Sequence, residues 1–294
     1  MNRMKTTIRK WWFWLLLTPL LPAAAYFIFI LGRPLPFLVK SSLYEGVTYY
    51  RQVRYMPHPM IAHVLVIDTR NAGGIHFLVT PPNDTGTVVA RTTSQFLDEF
   101  DLQIAINGDG FTPWWSRSPL DYYPHIGDPV TPNGFAASYG RIYADGRQDA
   151  KPEPTLYINR RGGLEFNHAP GRIFQAISGD RMLIKSGEIV AGLNDQILHP
   201  RTALGLNQNG RWLIILVVDG RQPLYSEGAT YQELAEILLD FGAFNAMALD
   251  GGGSSTMVIE GPDGRPQVLN SPIDNYIPGR ERPVANHLGI YLDQ

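Results

Sequence analysis

Residues 230–257, TYQELAEILLDFGAFNAMALDGGGSSTM, constrain this chain more tightly than any other stretch. Thr230 and Glu233 stand at capping-box spacing, with a hydroxyl at the helix N-cap and a carboxylate three residues on. Leu234, Ile237, Leu238 and Phe241 recur at steps of three and four, so one face of a short helix is apolar. Gly242 falls where a helix stops. Residues 246–249 are an apolar run short enough for a buried strand, and the run ends at Asp250. Gly251, Gly252, Gly253, Ser254 and Ser255 follow. Successive glycines cost backbone entropy on folding, so a stable protein keeps them where the chain turns sharply or something approaches it closely. A carboxylate at a strand end beside such a loop predicts a binding site. The plain alternative is a hairpin turn onto residues 256–259.

The pattern occurs again upstream. Thr92 and Gln95 repeat the capping-box spacing, Phe96 and Leu97 open an apolar face, and residues 102–106 predict a strand ending in Asn107, Gly108, Asp109 and Gly110. IAINGDG and MALDGGG match in pattern, which fits either an internal duplication or one local solution used twice. Residues 212–218, WLIILVV, predict a strand buried on both faces and end at Asp219-Gly220-Arg221. Asn-Gly and Asp-Gly are ordinary turn signals. Three of them after buried runs point to loops that share one site, because ligands gather beyond strand ends.

The N-terminus sets the compartment. Arg3, Lys5, Arg9 and Lys10 precede residues 11–31, which hold no charge and are interrupted only by Thr18, Pro19 and Pro22. About 20 apolar residues cross a bilayer, so the run predicts a single-pass anchor. The basic cluster stays cytoplasmic and the remainder lies outside, periplasmic or extracellular. Ala23, Ala24 and Ala25 resemble a signal-peptide cleavage site, but the apolar run continues past them, which favours an uncleaved anchor. Six of the 25 Lys and Arg residues lie in residues 1–40, which hold no Asp or Glu, so the rest carries a net charge of −8. A nucleic-acid partner would want a basic footprint instead. With no cysteine, disulfides, thiolate metal sites and a cysteine nucleophile are excluded.

Between these landmarks, residues 33–40 read as a stiff linker, and residues 44–55 and 63–68 as strands. Residues 75–80 are expected to pair back on 63–68 as a hairpin. Residues 112–134 form a long connection rich in aromatics, including Trp114, Trp115, Tyr122 and Tyr123; its rings could stack on a sugar or cover the core. Short strands are expected at 156–158, 172–177, 182–184 and 201–206, and residues 287–292 as a last strand of the main sheet. The expected class is α+β, a twisted mixed β-sheet core with a few packed helices. It forms a single globular domain over 41–294, after a tail, transmembrane helix and linker in 1–40.

NGDGF (107–111), RTALG (201–205), VDGRQ (218–222), LDGGGSSTM (249–257) and RPVANHLGI (282–290), in this order along the chain, resemble the phosphodiester glycosidases. The resemblance runs from Asn107 to the C-terminus and, more loosely, back to His63. It implies hydrolysis between a sugar anomeric carbon and a phosphodiester oxygen, on an N-acetylglucosamine-1-phosphodiester-like group of a cell-envelope or exported glycan. It implies catalytic roles for Arg201, Asp219, Asp250 and Arg282. Substrate contacts are implied for Asn107, Gly108, Asp109, Arg221, Gly251, Gly252, Gly253, Ser254, Ser255 and Asn286. Asp109 departs from the commoner small or aromatic residue at that place, which puts its participation in doubt.

The chemistry fits those residue types. Anomeric C–O cleavage passes through an oxocarbenium-like state served by carboxylates, and arginine forks match phosphate oxygens. Arg201 and Arg282 are the candidate clamp, with N–H groups of Gly251, Gly252 and Gly253 as further donors. Asp219 and Asp250 would position water or stabilise positive charge at the sugar. The seven histidines show no paired ligand spacing, so zinc is not expected. No cofactor is implied, although clustered carboxylates leave calcium or magnesium open. Two other classes stay in view: a non-catalytic carbohydrate-binding module, and a metal-dependent phosphodiesterase cutting the P–O bond. A serine hydrolase on Ser254 or Ser255 lacks the G-x-S-x-G elbow.

Overall fold

A computed structural model of the chain describes residues 18, 20–34, 36–70, 74–146, 153–169 and 171–293. It divides into two units, residues 1–36 and 37–294. In the first, the described helix is Leu20–Gly32, 13 residues long. At 1.5 Å per residue it spans about 20 Å, against roughly 30 Å of bilayer hydrocarbon. Residues 11–17 of the expected span lie outside the described residues, and no described helix is long and apolar enough to cross a membrane. The second unit begins ahead of the expected boundary, because the strand Val39–Tyr44 already takes in Lys40.

Two large sheets make the frame of residues 37–294. Eight strands run in the order Val39–Tyr44, Val47–Arg54, Met60–Asp68, Trp212–Val218, Arg201–Leu206, Asn245–Ala248, Arg181–Lys185 and Glu188–Ile189. Five run in the order Pro266–Val268, Met257–Glu260, Ile104–Asn107, His287–Leu292 and Ile75–Val79. A third sheet, around Gln175–Ser178 and Thr155–Ile158, lies beside them. All strand pairings in the described sheets are antiparallel, so the expected mixed sheet is corrected to an antiparallel one. A helix does precede a strand twice, but no parallel crossover follows, so no βαβ unit forms.

The expected hairpin between residues 63–68 and 75–80 does not form either. Met60–Asp68 pairs with Val47–Arg54 and Trp212–Val218, whereas Ile75–Val79 pairs with His287–Leu292 in the five-stranded sheet. The chain therefore passes from one sheet to the other between these strands. Residues 287–292 likewise close the five-stranded sheet rather than the larger one. The hairpin alternative for the glycine loop also fails, because Met257–Glu260 pairs with Ile104–Asn107 and not with Asn245–Ala248.

Side-chain alternation along the strands builds the layers. In Trp212–Val218, Leu213, Ile215 and Val217 join the central core, and Ile214, Leu216 and Val218 join a second core beneath the helix Tyr231–Asp240. Met247 and Leu204 face the first, Ala246 and Ala203 the second. That double burial is why WLIILVV has no polar face. The central core also receives Ile104, Ile106, Met257 and Leu288 from the five-stranded sheet. Its opposite face, through Ala105 and Val258, packs on Phe96 and Leu97 of the helix Thr93–Glu99.

Both helices carry the capping box expected from sequence. Thr230 Oγ1 accepts from the Glu233 N–H at 3.1 Å, and Glu233 Oε2 accepts from the Thr230 N–H at 3.0 Å. Glu233 is bonded as well to His58 at 2.9 Å and to Arg54, which ties the helix start to the eight-stranded sheet. Thr230→Ala is expected to lower unfolding stability by about 1 kcal/mol. In urea titration the midpoint should fall while the slope stays unchanged; an unaltered midpoint would rule out the cap as a contributor.

Candidate active site

Strand ends converge at one end of the paired sheets. Arg201 pairs with Val218 and Ala203 with Ala248, so the start of one strand meets the finish of its two neighbours. In the other sheet, His287 pairs with Asn107 and Met257 with Ile106. Asn107 joins the two groups. Its Oδ1 accepts from Thr202 Oγ1 at 2.7 Å and the Thr256 N–H at 3.2 Å, and its Nδ2 donates to Asp250 O at 2.9 Å.

A cavity of about 590 Å³ opens there. Of the residues expected from sequence, Asp109, Arg201, Arg221, Asp250, Gly251, Gly252 and Arg282 line it. Asn107, Gly108, Asp219, Gly253, Ser254, Ser255 and Asn286 do not, and form the layer behind it. Asp219 is fully buried: Oδ1 accepts from the Ser271 N–H at 2.6 Å and Asn270 Nδ2 at 3.2 Å, and Oδ2 lies 3.2 Å from His63 Nε2. His63 Nδ1 in turn lies 2.8 Å from Tyr49 Oη. Asp219 thus anchors the segment leading to Tyr276 and Arg282 rather than facing a ligand. Asn286 holds the loop of Asp109, its Oδ1 accepting from the Asp109 N–H at 2.9 Å.

The glycine loop serves close approach, not donation. The Gly251 N–H is spent on Asp250 Oδ1 at 2.8 Å and the Gly252 N–H on Pro200 O at 2.8 Å, so neither acts as the expected phosphate donor. Gly252 adopts φ +65, and a Cβ there would come within 3.0 Å of Arg221 Nη2. At Gly253 a Cβ would stand 2.5 Å from Arg282 Nη2. Any side chain at these positions would displace the arginines.

Each arginine lies over an aromatic ring that also lines the cavity. Arg201 lies 3.8 Å from the Tyr231 centroid, Arg282 4.9 Å from Trp114 and Arg221 5.7 Å from Tyr276. Arg282 Nε donates to Asp274 Oδ1 at 2.7 Å, and Arg201 Nε to Ala229 O at 3.3 Å. Arg221 is in the left-handed region at φ 57 and half-buried, and its guanidinium makes no hydrogen bond or ion pair among the described residues. Burial, with Arg282 nearby, lowers its pKa. A ring face orients a guanidinium without using its N–H donors. Those of Arg221 are left for a ligand.

Asp250 and Asp109 are shifted the other way. Asp250 is held by the Gly251 N–H and by Ser254 Oγ at 2.6 Å, yet burial pushes its pKa up. Asp109, 2% exposed, accepts from the Gly110 N–H at 2.7 Å and the Gly134 N–H at 2.6 Å. Burial, with Glu153 nearby, pushes its pKa up to about 8. The cavity also takes in Glu153, Asp180, His199 and Tyr231, which sequence reading passed over. Asp180 follows the strand Gln175–Ser178 in a Gly-Asp turn, the same signal in reversed order. Tyr231 was next to the recognised cap. Of the aromatic connection, Trp114 reaches the cavity, as does Phe111 just ahead of it, while Trp115 stacks on Tyr123 and does not line it. Among the described residues, no group of three or more His, Asp or Glu is placed to hold a metal ion.

The Asp109 shift has a testable sign. A carboxyl whose pKa rises on folding keeps its proton in the folded state while the unfolded chain loses it, so its contribution to stability falls between about pH 4 and pH 8. Asp109→Asn retains one of the two acceptors and should be less stable than the parent at pH 5. The gap should narrow by pH 9, where the parent carries a buried charge and the variant does not. Urea unfolding at both pH values measures it, and a constant gap would contradict the raised pKa.

Comparison with known proteins agrees with this architecture. The family model for phosphodiester glycosidase matches residues 100–291. Human N-acetylglucosamine-1-phosphodiester alpha-N-acetylglucosaminidase is 25% identical over 205 residues, 63% of this chain and 38% of that protein. The SPbeta prophage-derived uncharacterized protein YomE of Bacillus subtilis (strain 168) is 39% identical over 94 residues, 32% of this chain and 13% of that protein. The chain thus spans well under two thirds of the length of these curated relatives. In fold it is similar to the zebrafish N-acetylglucosamine-1-phosphodiester alpha-N-acetylglucosaminidase catalytic domain auto-inhibited by pro-peptide. The TM-score is 0.55 at 20% identity, covering 87% of this chain and 84% of that one. The family match takes in more than half of the 294 residues, including all three strand-end loops, and the chain belongs to the phosphodiester glycosidase family.

Proposed function

We propose that this chain is a hydrolase of sugar-1-phosphodiesters, cleaving the bond between the anomeric carbon and the phosphate oxygen. The reading is supported most by one observation: Arg221, a half-buried arginine whose guanidinium has no hydrogen-bond or ion-pair partner among the described residues, shares a cavity with Asp250. Arg221, with Arg201 and Arg282 beside it, would bind the phosphate and take up the negative charge that grows on it as the C–O bond breaks. Asp250 would stabilise the positive charge at the anomeric carbon. Water adds its oxygen to that carbon, giving free sugar, and its proton completes the departing phosphomonoester. Such a leaving group needs no strong acid, and Asp109, protonated up to about pH 8, is a sufficient proton source in the cavity wall. The ring of Trp114 gives a sugar an apolar face to rest on.

The same proposal takes an N-acetylglucosamine-1-phosphodiester of a cell-envelope or exported glycan as substrate. It places the domain outside the cytoplasm, anchored through the apolar residues 11–31 behind their basic cluster. Cleavage of the domain by protease added to intact spheroplasts checks the placement; full protection there would overturn it.

The activity is tested with a synthetic N-acetylglucosamine-1-phosphodiester, products being identified by mass with and without EDTA. The parent should release free sugar, and Asp250→Asn should lower that release by at least about 100-fold. Arg221→Gln should lower kcat/KM by roughly 10- to 100-fold, the worth of one charged phosphate contact. Sugar-1-phosphate that disappears with EDTA would point to a metal phosphodiesterase. Binding without turnover would point to a carbohydrate-binding module.

A further inference from the structure

We propose that the active-site cavity continues into a second binding site for the next part of a polymeric substrate, a glycan chain whose repeats are joined by phosphodiesters. The inference rests on the hydrolase reading and deepens it. A second cavity of about 540 Å³ adjoins the first, and Glu153 and Asp180 line both.

The partition between them is built around one ring. Arg201, which lines the first cavity, lies 3.8 Å from the Tyr231 centroid; Arg181, which lines the second, lies 4.4 Å from the same centroid. Tyr231 Oη donates to Asp180 Oδ2 at 2.5 Å, and Arg181 Nε donates to the same oxygen at 2.7 Å. Two guanidiniums thus share one tyrosine, one serving each cavity, and the Asp180 charge between them is already taken up. Lys185, exposed in the second cavity, makes no ion pair among the described residues and adds a cation there. Tyr157 and Met182 give the same cavity apolar surface beside it.

Size decides what would occupy it. Each cavity lies in the range of roughly 300–1,000 Å³ that holds one ligand of drug size, so a sugar phosphate with a small alcohol needs only the first. A neighbouring site of similar volume, with its own cations and apolar surface, fits a further sugar and the phosphate that follows it.

The test compares two substrates, a single sugar-1-phosphodiester and an oligomer of three or more glycosyl-phosphate repeats, with Lys185→Glu and Arg181→Gln beside the parent. The parent should prefer the oligomer, and the preference should weaken as salt rises. Each variant should lose roughly two- to fivefold in kcat/KM on the oligomer while keeping its rate on the single unit. No preference in the parent, or equal losses on both substrates, would overturn the second site. A sugar diphosphate preferred as strongly as the oligomer would also overturn it, by showing that a second phosphate suffices without a chain. If the parent turns over neither substrate, the hydrolase reading fails by itself. Calorimetry then decides the groove: oligomer binding weakened by Lys185→Glu upholds it, and absence of binding overturns it.

Discussion

One buried amide holds the two halves of this protein together at the place where its chemistry lies. Asn107 ends a strand of the five-stranded sheet, and its side chain is bonded to Thr202 in the eight-stranded sheet and to the backbone on both sides of the glycine loop. It is completely buried, so each lost bond would leave a polar group without water. Two antiparallel sheets packed through aliphatic side chains can slide with little penalty, because hydrophobic contact is not directional. Hydrogen bonds are directional, and these fix how the strand ends line up. The alignment in turn sets Asp250, whose N–H donates to Gly108 O at 3.0 Å, beside the loop of Asp109.

Around that joint the protein separates holding from acting. Asp219 and Asn286 carry polar groups of the kind expected in a site, yet both lie behind the cavity and organise loops. The cavity itself keeps three guanidiniums close together, which costs mutual repulsion and desolvation. Their environments differ. Arg282 is paired with Asp274, Arg201 is spent on backbone carbonyls and Tyr231, and among the described residues the Arg221 guanidinium rests on the Tyr276 ring with no hydrogen bond. Charge that the protein has not neutralised is charge that a ligand can neutralise. The protonated Asp109 adds no negative charge that would cancel it.

Much of this was legible in the chain. The capping boxes at Thr92 and Thr230, the two-faced strand at residues 212–218 and the short strand at 201–206 all follow from local rules of spacing and polarity. The glycine loop was readable as a place of close approach, and the aromatic connection as part of a site through Trp114. Pairing was not readable. Residues 63–68 and 75–80 look like a hairpin because they are neighbours in sequence, but they belong to different sheets, and nothing in the alternation of one strand names its partner. The roles of Asp219 and Asp250 were likewise inseparable, since both are aspartates before glycine after a buried run.

The sequence by itself determined which segments are strands and helices, which loops carry chemistry, and the family, because these depend on residues close together along the chain. The tertiary structure decided which of those loops face the cavity and which support it. Burial and hydrogen-bond partners come from distant segments: Ser271 and His63 take Asp219 out of the site, and burial with Glu153 nearby gives Asp109 its proton. A side chain's charge state and its freedom to meet a ligand are properties of its surroundings, and only folding assembles them.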